Sequence, residues 1–234
     1  MRKIVIILIF FLFIVSSIVI ASNYGSRTIY LIRHGFYDYK DTTNADIGKG
    51  LVPLGIAQAK LVAARLQSIP VKFNSIVTST MTRARQTAEI IHDLFPNVTY
   101  EQTELIRECT PTTWREDIMA EESLEDTKLC DENVNKAFDK YFVPSDTNED
   151  KYDVLVCHGN FIRSLVVRAL QVDPESWLNM SVSNCSITII KITNEGTMKL
   201  ISFNDTGHIP ESMNTTTGEN NDKKSFLIPV RSIK

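Results

Sequence analysis

No Cys-x-x-Cys spacing occurs in this chain of 234 residues, and neither an internal repeat nor a dense carboxylate cluster is present. The first absence removes the usual framework of a thiolate metal site. The second removes solenoids and propellers, and the third leaves no nest of oxygen ligands for a hard cation. An excess of positive charge is missing too: 25 Lys and Arg against 28 Asp and Glu give a net charge of −3. That balance gives no support to nucleic-acid binding or to a polybasic surface role. An anion bound by this protein must therefore be held locally. Cysteines number only four, Cys109, Cys130, Cys157 and Cys185. In a secreted protein they would allow two disulfides, whereas Cys157, closing the apolar run "YDVLVC", reads as a buried free thiol.

Charge is also missing from the amino terminus. After Arg2 and Lys3 none appears until Arg27, and residues 4–21 are almost wholly apolar. As a helix that run would rise about 27 Å, close to the hydrocarbon thickness of a bilayer. An uncleaved membrane anchor is the favoured reading; a cleaved signal peptide, with Val19 and Ala21 before the cut, is the alternative. Residues 1–26 are thus expected to be anchor or signal plus a short linker, with Arg2 and Lys3 favouring the cytoplasmic or matrix side. Residues 27–212 suffice for one packed domain. From Ser212 to Ser225 the composition turns polar, "SMNTTTGENNDKKS", and residues 213–234 are expected to be a flexible tail. Asn-x-Ser/Thr sequons begin at Asn97, Asn179, Asn184, Asn204 and Asn214, but an Asn- and Thr-rich chain acquires several by chance.

What is present alternates. "TIYLI" reads as a strand. "LGIAQAKLVAARLQSI" reads as a helix with Ile56, Ala59, Ala63 and Leu66 on its apolar face. "FNSIVTST" is a second strand, and "MTRARQTAEIIHDLF" a helix presenting Ala84, Ala88, Ile91 and Phe95. "VTYEQTELI" is extended, and residues 113–142 are acidic and helical in pattern, suited to an inserted lid. "YDVLVC", "FIRSLVVRAL" and a closing pair "SITIIKIT" and "MKLISF" about Asn194-Glu195-Gly196 complete the pattern. Such alternation predicts an α/β fold: three layers, with helices on both faces of a mostly parallel sheet, preceded by the N-terminal hydrophobic helix.

Ligands of such sheets sit beyond the carboxyl ends of the strands. Here one strand ends in Arg33-His34-Gly35, another in "TST" before a helix with Arg83 in its first turn, and a third in "CHGN". Two arginines, two histidines and helix amino termini gathered on one rim suit a phosphoryl dianion, since guanidinium forks and free backbone N–H groups bind its oxygens. Taken singly, Arg83 would be a surface arginine, and Glu108 a salt-bridge partner of Arg107 or Arg115. His92 reads as solvated, and His208 is ambiguous.

"LIRHG", "PLGIAQA", "STMTRARQTA" and "VCHGNFIRSLV" together resemble the histidine phosphatase (phosphoglycerate mutase-like) superfamily. "ELIRECTP", "VSNCSITII" and "NDTGHIPESM" bring the likeness nearer to its mitochondrial, membrane-anchored Ser/Thr protein phosphatases. The resemblance runs from about residue 27 to 213. It implies a nucleophilic His34, a proton donor at Glu108, and Arg33, Arg83 and His158 around the transferring phosphoryl group. Asn160, at the start of the following helix, joins the expected phosphate-binding residues. It further implies a phosphoprotein substrate, no metal or other cofactor, a membrane partner through residues 4–21, no nucleic acid, a homodimer, and a mitochondrial membrane location. The endoplasmic reticulum or secretory pathway remains open, as do a phosphatase for small or lipid phosphate esters and a non-catalytic membrane adaptor. "FYDY" after Gly35 departs from the small polar segment of glycolytic mutases, which argues against mutase activity. The anchor is followed only by "SNYGSR", without the multimerisation motif of the protein phosphatases.

Overall fold

The computed structural model of the protein describes residues 24–39, 41 and 49–216; the expected anchor at 4–21 and the chain after 216 lie outside them. Among the described residues no helix is long and apolar enough to cross a membrane.

Among the described residues six strands form one sheet, in the order β3-β2-β4-β1-β5-β6. They are β1 (Arg27–Arg33), β2 (Ser75–Ser79), β3 (Thr99–Thr103), β4 (Lys151–Cys157), β5 (Ile187–Ile192) and β6 (Met198–Asp205). β1 pairs with β4, β4 with β2, and β2 with β3, all in parallel. β5 is antiparallel to both β1 and β6, so the sheet is mixed where a mostly parallel one was expected. The chain enters β5 at the rim where β1 ends, with Ile187 opposite Ile32 and the Cys185 N–H donating to the Arg33 carbonyl at 2.9 Å, so β5 runs back along β1. The turn at Asn194-Glu195-Gly196, where Gly196 takes φ +83°, then returns the chain as the β5–β6 hairpin.

Side chains of β1 alternate between two cores, as strand geometry requires. Ile29 and Leu31 face a cluster built with α4 (Leu124–Tyr141) and α5 (Gly159–Ala169). Tyr30 and Ile32 face the cluster under α1 (Pro53–Gln67) and α2 (Thr82–His92). A strand covered on both sides explains why "TIYLI" shows no polar alternation.

In α1 the buried face is Ala59, Val62, Ala63 and Leu66, while Ile56, expected on it, stands 38% exposed. Ile56 lies in the first turn, which overhangs the loop after β1 instead of the sheet. Residues 113–142, expected as a lid, hold the short helix α3 (Glu116–Met119) and α4. α4 is capped by Ser123, whose hydroxyl accepts the Asp126 N–H at 3.0 Å. It buries Cys130, Val134, Ala137 and Tyr141 against the sheet side. A disulfide joins Cys130 to Cys109, whereas Cys157 and Cys185 are free and buried. At the carboxyl end, Met213 and Thr215 are still held: Gln58 Nε2 donates to the Met213 carbonyl and to Thr215 Oγ1 at 2.7 and 2.9 Å. The fold thus retains residues that composition alone assigned to the tail.

Candidate active site

Parallel registry brings the strand ends together. Arg33 lies opposite Cys157, and Thr78 opposite Val156, so the chain leaves β1, β2 and β4 at one rim. β1 delivers Arg33 and His34, β2 delivers Ser79, β4 delivers His158, and α2 starts at that rim with Arg83. Adjacent apolar strands supply rigid placement; the polar residues follow where the sheet stops.

His34 is 1% exposed, and its two ring nitrogens have different partners. Nδ1 lies 2.8 Å from the Gly35 carbonyl, an acceptor only, which fixes the hydrogen on Nδ1. Nε2 is therefore bare and accepts the Arg83 Nε–H at 3.1 Å. Burial, then the charges of Arg83, His158 and Arg33, hold the imidazole's pKa well below its ordinary value. A neutral ring with no hydrogen on Nε2 is the state a nucleophile needs, and the Arg83 Nε–H has to move off that lone pair for Nε2 to attack. Arg33 donates from Nη1 to the Val182 carbonyl at 2.5 Å, which anchors its guanidinium beside the ring. Tyr37 lies under Arg83, with the guanidinium carbon 4.6 Å from the ring centroid.

His158 packs 5.1 Å from His34, centroid to centroid. Its Nε2 lies 2.8 Å from Ser79 Oγ, which also accepts the Met81 N–H at 3.2 Å. Its Nδ1 is buried without a hydrogen-bond partner, 4.0 Å from Glu108 Oε2. Burial and then the charges of Arg83, Arg33 and Arg107 keep this imidazole neutral as well.

Glu108 is held by the Asn160 N–H at 3.2 Å. Burial pushes its carboxyl above the ordinary range, although Arg33, Arg83 and Arg163 pull the other way. Its expected alternative partners are engaged elsewhere: Arg115 with Asp117, and Arg107 at 3.9 Å from Glu104. Donor atoms of His34, Glu108 and His158 lie within 4.8 Å of one another, but two guanidiniums beside them make the spot suited to an anion rather than a cation. The opening in front measures about 450 Å³ and includes Arg33, His34, Arg83, Glu108 and Asn160 in its walls.

Five of the expected residues, Arg33, His34, Arg83, Glu108 and His158, therefore converge. Asn160 arrives too, but its carboxamide is committed to the acid's loop: Nδ2 donates to the Cys109 carbonyl at 3.2 Å, and Oδ1 accepts from Arg163 Nη2. His92, expected to be solvated, is half-buried instead, with Nε2 at 3.1 Å from the Val98 carbonyl and its ring beside Tyr100. His208 bonds the Cys185 carbonyl at 3.0 Å. Sequence reasoning missed Tyr37, Ser79, Arg163 and Asn184, the last of which donates to the His34 carbonyl at 2.9 Å. Only Ser79 had a local signal, its place at the end of a buried strand.

The family model of the histidine phosphatase superfamily (branch 1) matches residues 29–143 and 113–206. The chain is 39% identical over 195 residues to the human "Serine/threonine-protein phosphatase PGAM5, mitochondrial", covering 80% of this chain and 65% of that one. Against the Xenopus tropicalis protein of the same name the values are 37%, 80% and 67%. The chain thus spans about two thirds of the length of these relatives. Among solved structures, a phosphoglycerate mutase from Plasmodium falciparum superposes with a TM-score of 0.57 at 28% identity, over 80% of this chain and 96% of that one. A phosphoserine phosphatase from Entamoeba histolytica gives a TM-score of 0.59 at 24% identity, over 79% and 100%, a likeness of fold. With the match running through both histidine-bearing strand ends, the chain belongs to the histidine phosphatase superfamily.

Proposed function

We propose that the protein is a Ser/Thr protein phosphatase that works through a phosphohistidine on His34, with residues 4–21 anchoring it to a mitochondrial membrane. The observation that carries this reading is the bare Nε2 of His34, facing an opening walled by Arg33, Arg83 and Glu108. The substrate class and compartment are supported by the relatives, whose names describe mitochondrial protein phosphatases.

The chemistry follows from the groups present. Nε2 of His34 attacks phosphorus as the bond to the seryl or threonyl oxygen breaks, and protonated Glu108 gives that oxygen its hydrogen. Arg33, Arg83 and His158 take up the charge spread over the three remaining oxygens, where most of the rate must come from. Water then attacks the phosphohistidine, Glu108 takes the water's proton, and phosphate leaves with His34 restored. Side chains supply every charge that this scheme uses.

A phosphothreonine peptide labelled with ³²P, mixed with the full chain and quenched, should leave acid-labile, alkali-stable label on the protein. H34A should show no label and a turnover lowered at least about 10³-fold. Unchanged turnover in H34A would refute the nucleophile. Faster hydrolysis of small phosphate esters than of peptides would refute the substrate class while leaving the chemistry intact.

A further inference from the structure

Arg163 has no part in the scheme above, yet it stands in the wall of the same opening. It projects from α5 and is fastened on every side. Nε donates to the Gly159 carbonyl at 3.2 Å and Nη1 to the Met180 carbonyl at 3.1 Å. Nη2 donates to Asn160 Oδ1, and the guanidinium lies over the Trp177 ring, 4.8 Å from its centroid. Trp177 is itself fixed by Nε1 donating to the Thr112 carbonyl at 3.0 Å. Asn160 uses its other polar groups on the segment that bears the acid: its N–H reaches Glu108 Oε1, and Nδ2 reaches the Cys109 carbonyl.

From this geometry we infer that Arg163 is a positioning residue for Glu108, acting through Asn160 to fix where the carboxyl group meets the leaving oxygen. The inference rests on the phosphatase reading for its kinetic consequences, not for its geometry. Two functions are combined in one side chain. The fork sets the rotamer of Asn160, which has one carboxamide orientation that offers Oδ1 to the Arg163 donor and Nδ2 to the Cys109 carbonyl. The charge acts across the cavity on Glu108: burial raises that carboxyl, and Arg163 is one of three guanidiniums opposing the rise. The groups facing Glu108 are Arg33 and His34 from β1, Arg83 from α2, His158 and Cys157 from the end of β4, and Arg163 itself. Burial also draws the Arg163 guanidinium down to about 10, so it stays charged at neutral pH.

Two substitutions in the full chain separate fork from charge. R163K keeps a cation but cannot hold three acceptors in one plane; R163M removes both. With a phosphothreonine peptide, R163K should lower kcat about 10–100-fold, the scale of losing an orienting partner, with KM changed much less and the alkaline limb of the pH profile in place. R163M should lower kcat at least as far and move that limb to higher pH. The sign is fixed: taking away a neighbouring cation destabilises the carboxylate, so Glu108 keeps its proton longer. Carbon-13 NMR of labelled glutamate in the same proteins should show Glu108 titrating at higher pH in R163M and near the wild-type position in R163K. Folded R163M with wild-type kcat and an unmoved Glu108 titration would overturn the inference. If R163M does not fold, an unchanged kcat in R163K overturns it and a lowered one supports it. Should the wild type fail to hydrolyse phosphopeptides, the proposed function falls, and the carbon-13 titration still decides Arg163.

Discussion

An imidazole attacks phosphorus only while one nitrogen is bare, and His34 is kept in that condition from both ends of its ring. Gly35 takes the Nδ1 hydrogen, and Arg83 stands against Nε2, where a second proton would have to sit. R83Q should let the ring protonate at higher pH, because the lowering due to the Arg83 charge is lost. The acid limb of kcat/KM should then move up, and the rate should fall about 10²–10³-fold through the missing phosphoryl contact. Proton NMR of the His34 ring measures the first effect directly. In the wild type, His34 should remain neutral well below pH 6.5, since its pKa is depressed and the neutral form persists at every pH above it. Residues of this kind were legible in the sequence, because an Arg-His pair closing the apolar run "TIYLI" has no apolar explanation. Arg163 was not. In "FIRSLVVRAL" it occupies an ordinary helical position, and its meaning depends on Trp177, Met180 and Asn160, which only the folded chain brings near.

At the scale of elements, α1 matters for how closely it approaches the loop after β1. A Cβ on Gly55 would lie 1.9 Å from the Phe36 carbonyl oxygen, and one on Gly35 would lie 2.6 Å from the Gly55 carbonyl oxygen. Both contacts are with backbone, so neither can yield by a side-chain turn. Gln58, one helical turn on, accepts the Phe36 N–H at 2.9 Å. G55A should therefore cost about 1–3 kcal/mol in denaturant unfolding and lower kcat by displacing the segment that carries His34. The motif "PLGIAQA" was legible as a helix start, but the need for glycine was not, since it arises from Phe36, in the loop after another element. The cysteines were equally silent, because four allow three pairings. The observed bridge, with a sequence separation of 21, ties α4 to the residue next to Glu108. C130A should lower stability by ~3 kcal/mol and reduce kcat more than it raises KM, and treatment of the wild type with a dithiol should reproduce the kinetic part.

For the whole molecule, two cores on opposite faces of β1 explain why the α/β class was readable from apolar runs alone, whereas the reversal of β5 depended on where the preceding segment enters it, at the Cys185 contact with Arg33. The same burial pattern bears on the compartment. Of the sequons, Asn97 and Asn179 are exposed, while Asn184 is buried and bonded to the His34 carbonyl and to Thr215. A mitochondrial protein should show no change of mobility with glycosidase. A shift would move the protein to the secretory route, with sugars at Asn97 or Asn179 and none at Asn184. The cross-link between Cys109 and Cys130 has a practical corollary. Chain made in the reducing cytosol of a bacterial host emerges with two thiols there, so batches raised with and without an oxidant during folding are chemically different proteins, and a comparison of their turnover has to begin by counting sulfhydryls.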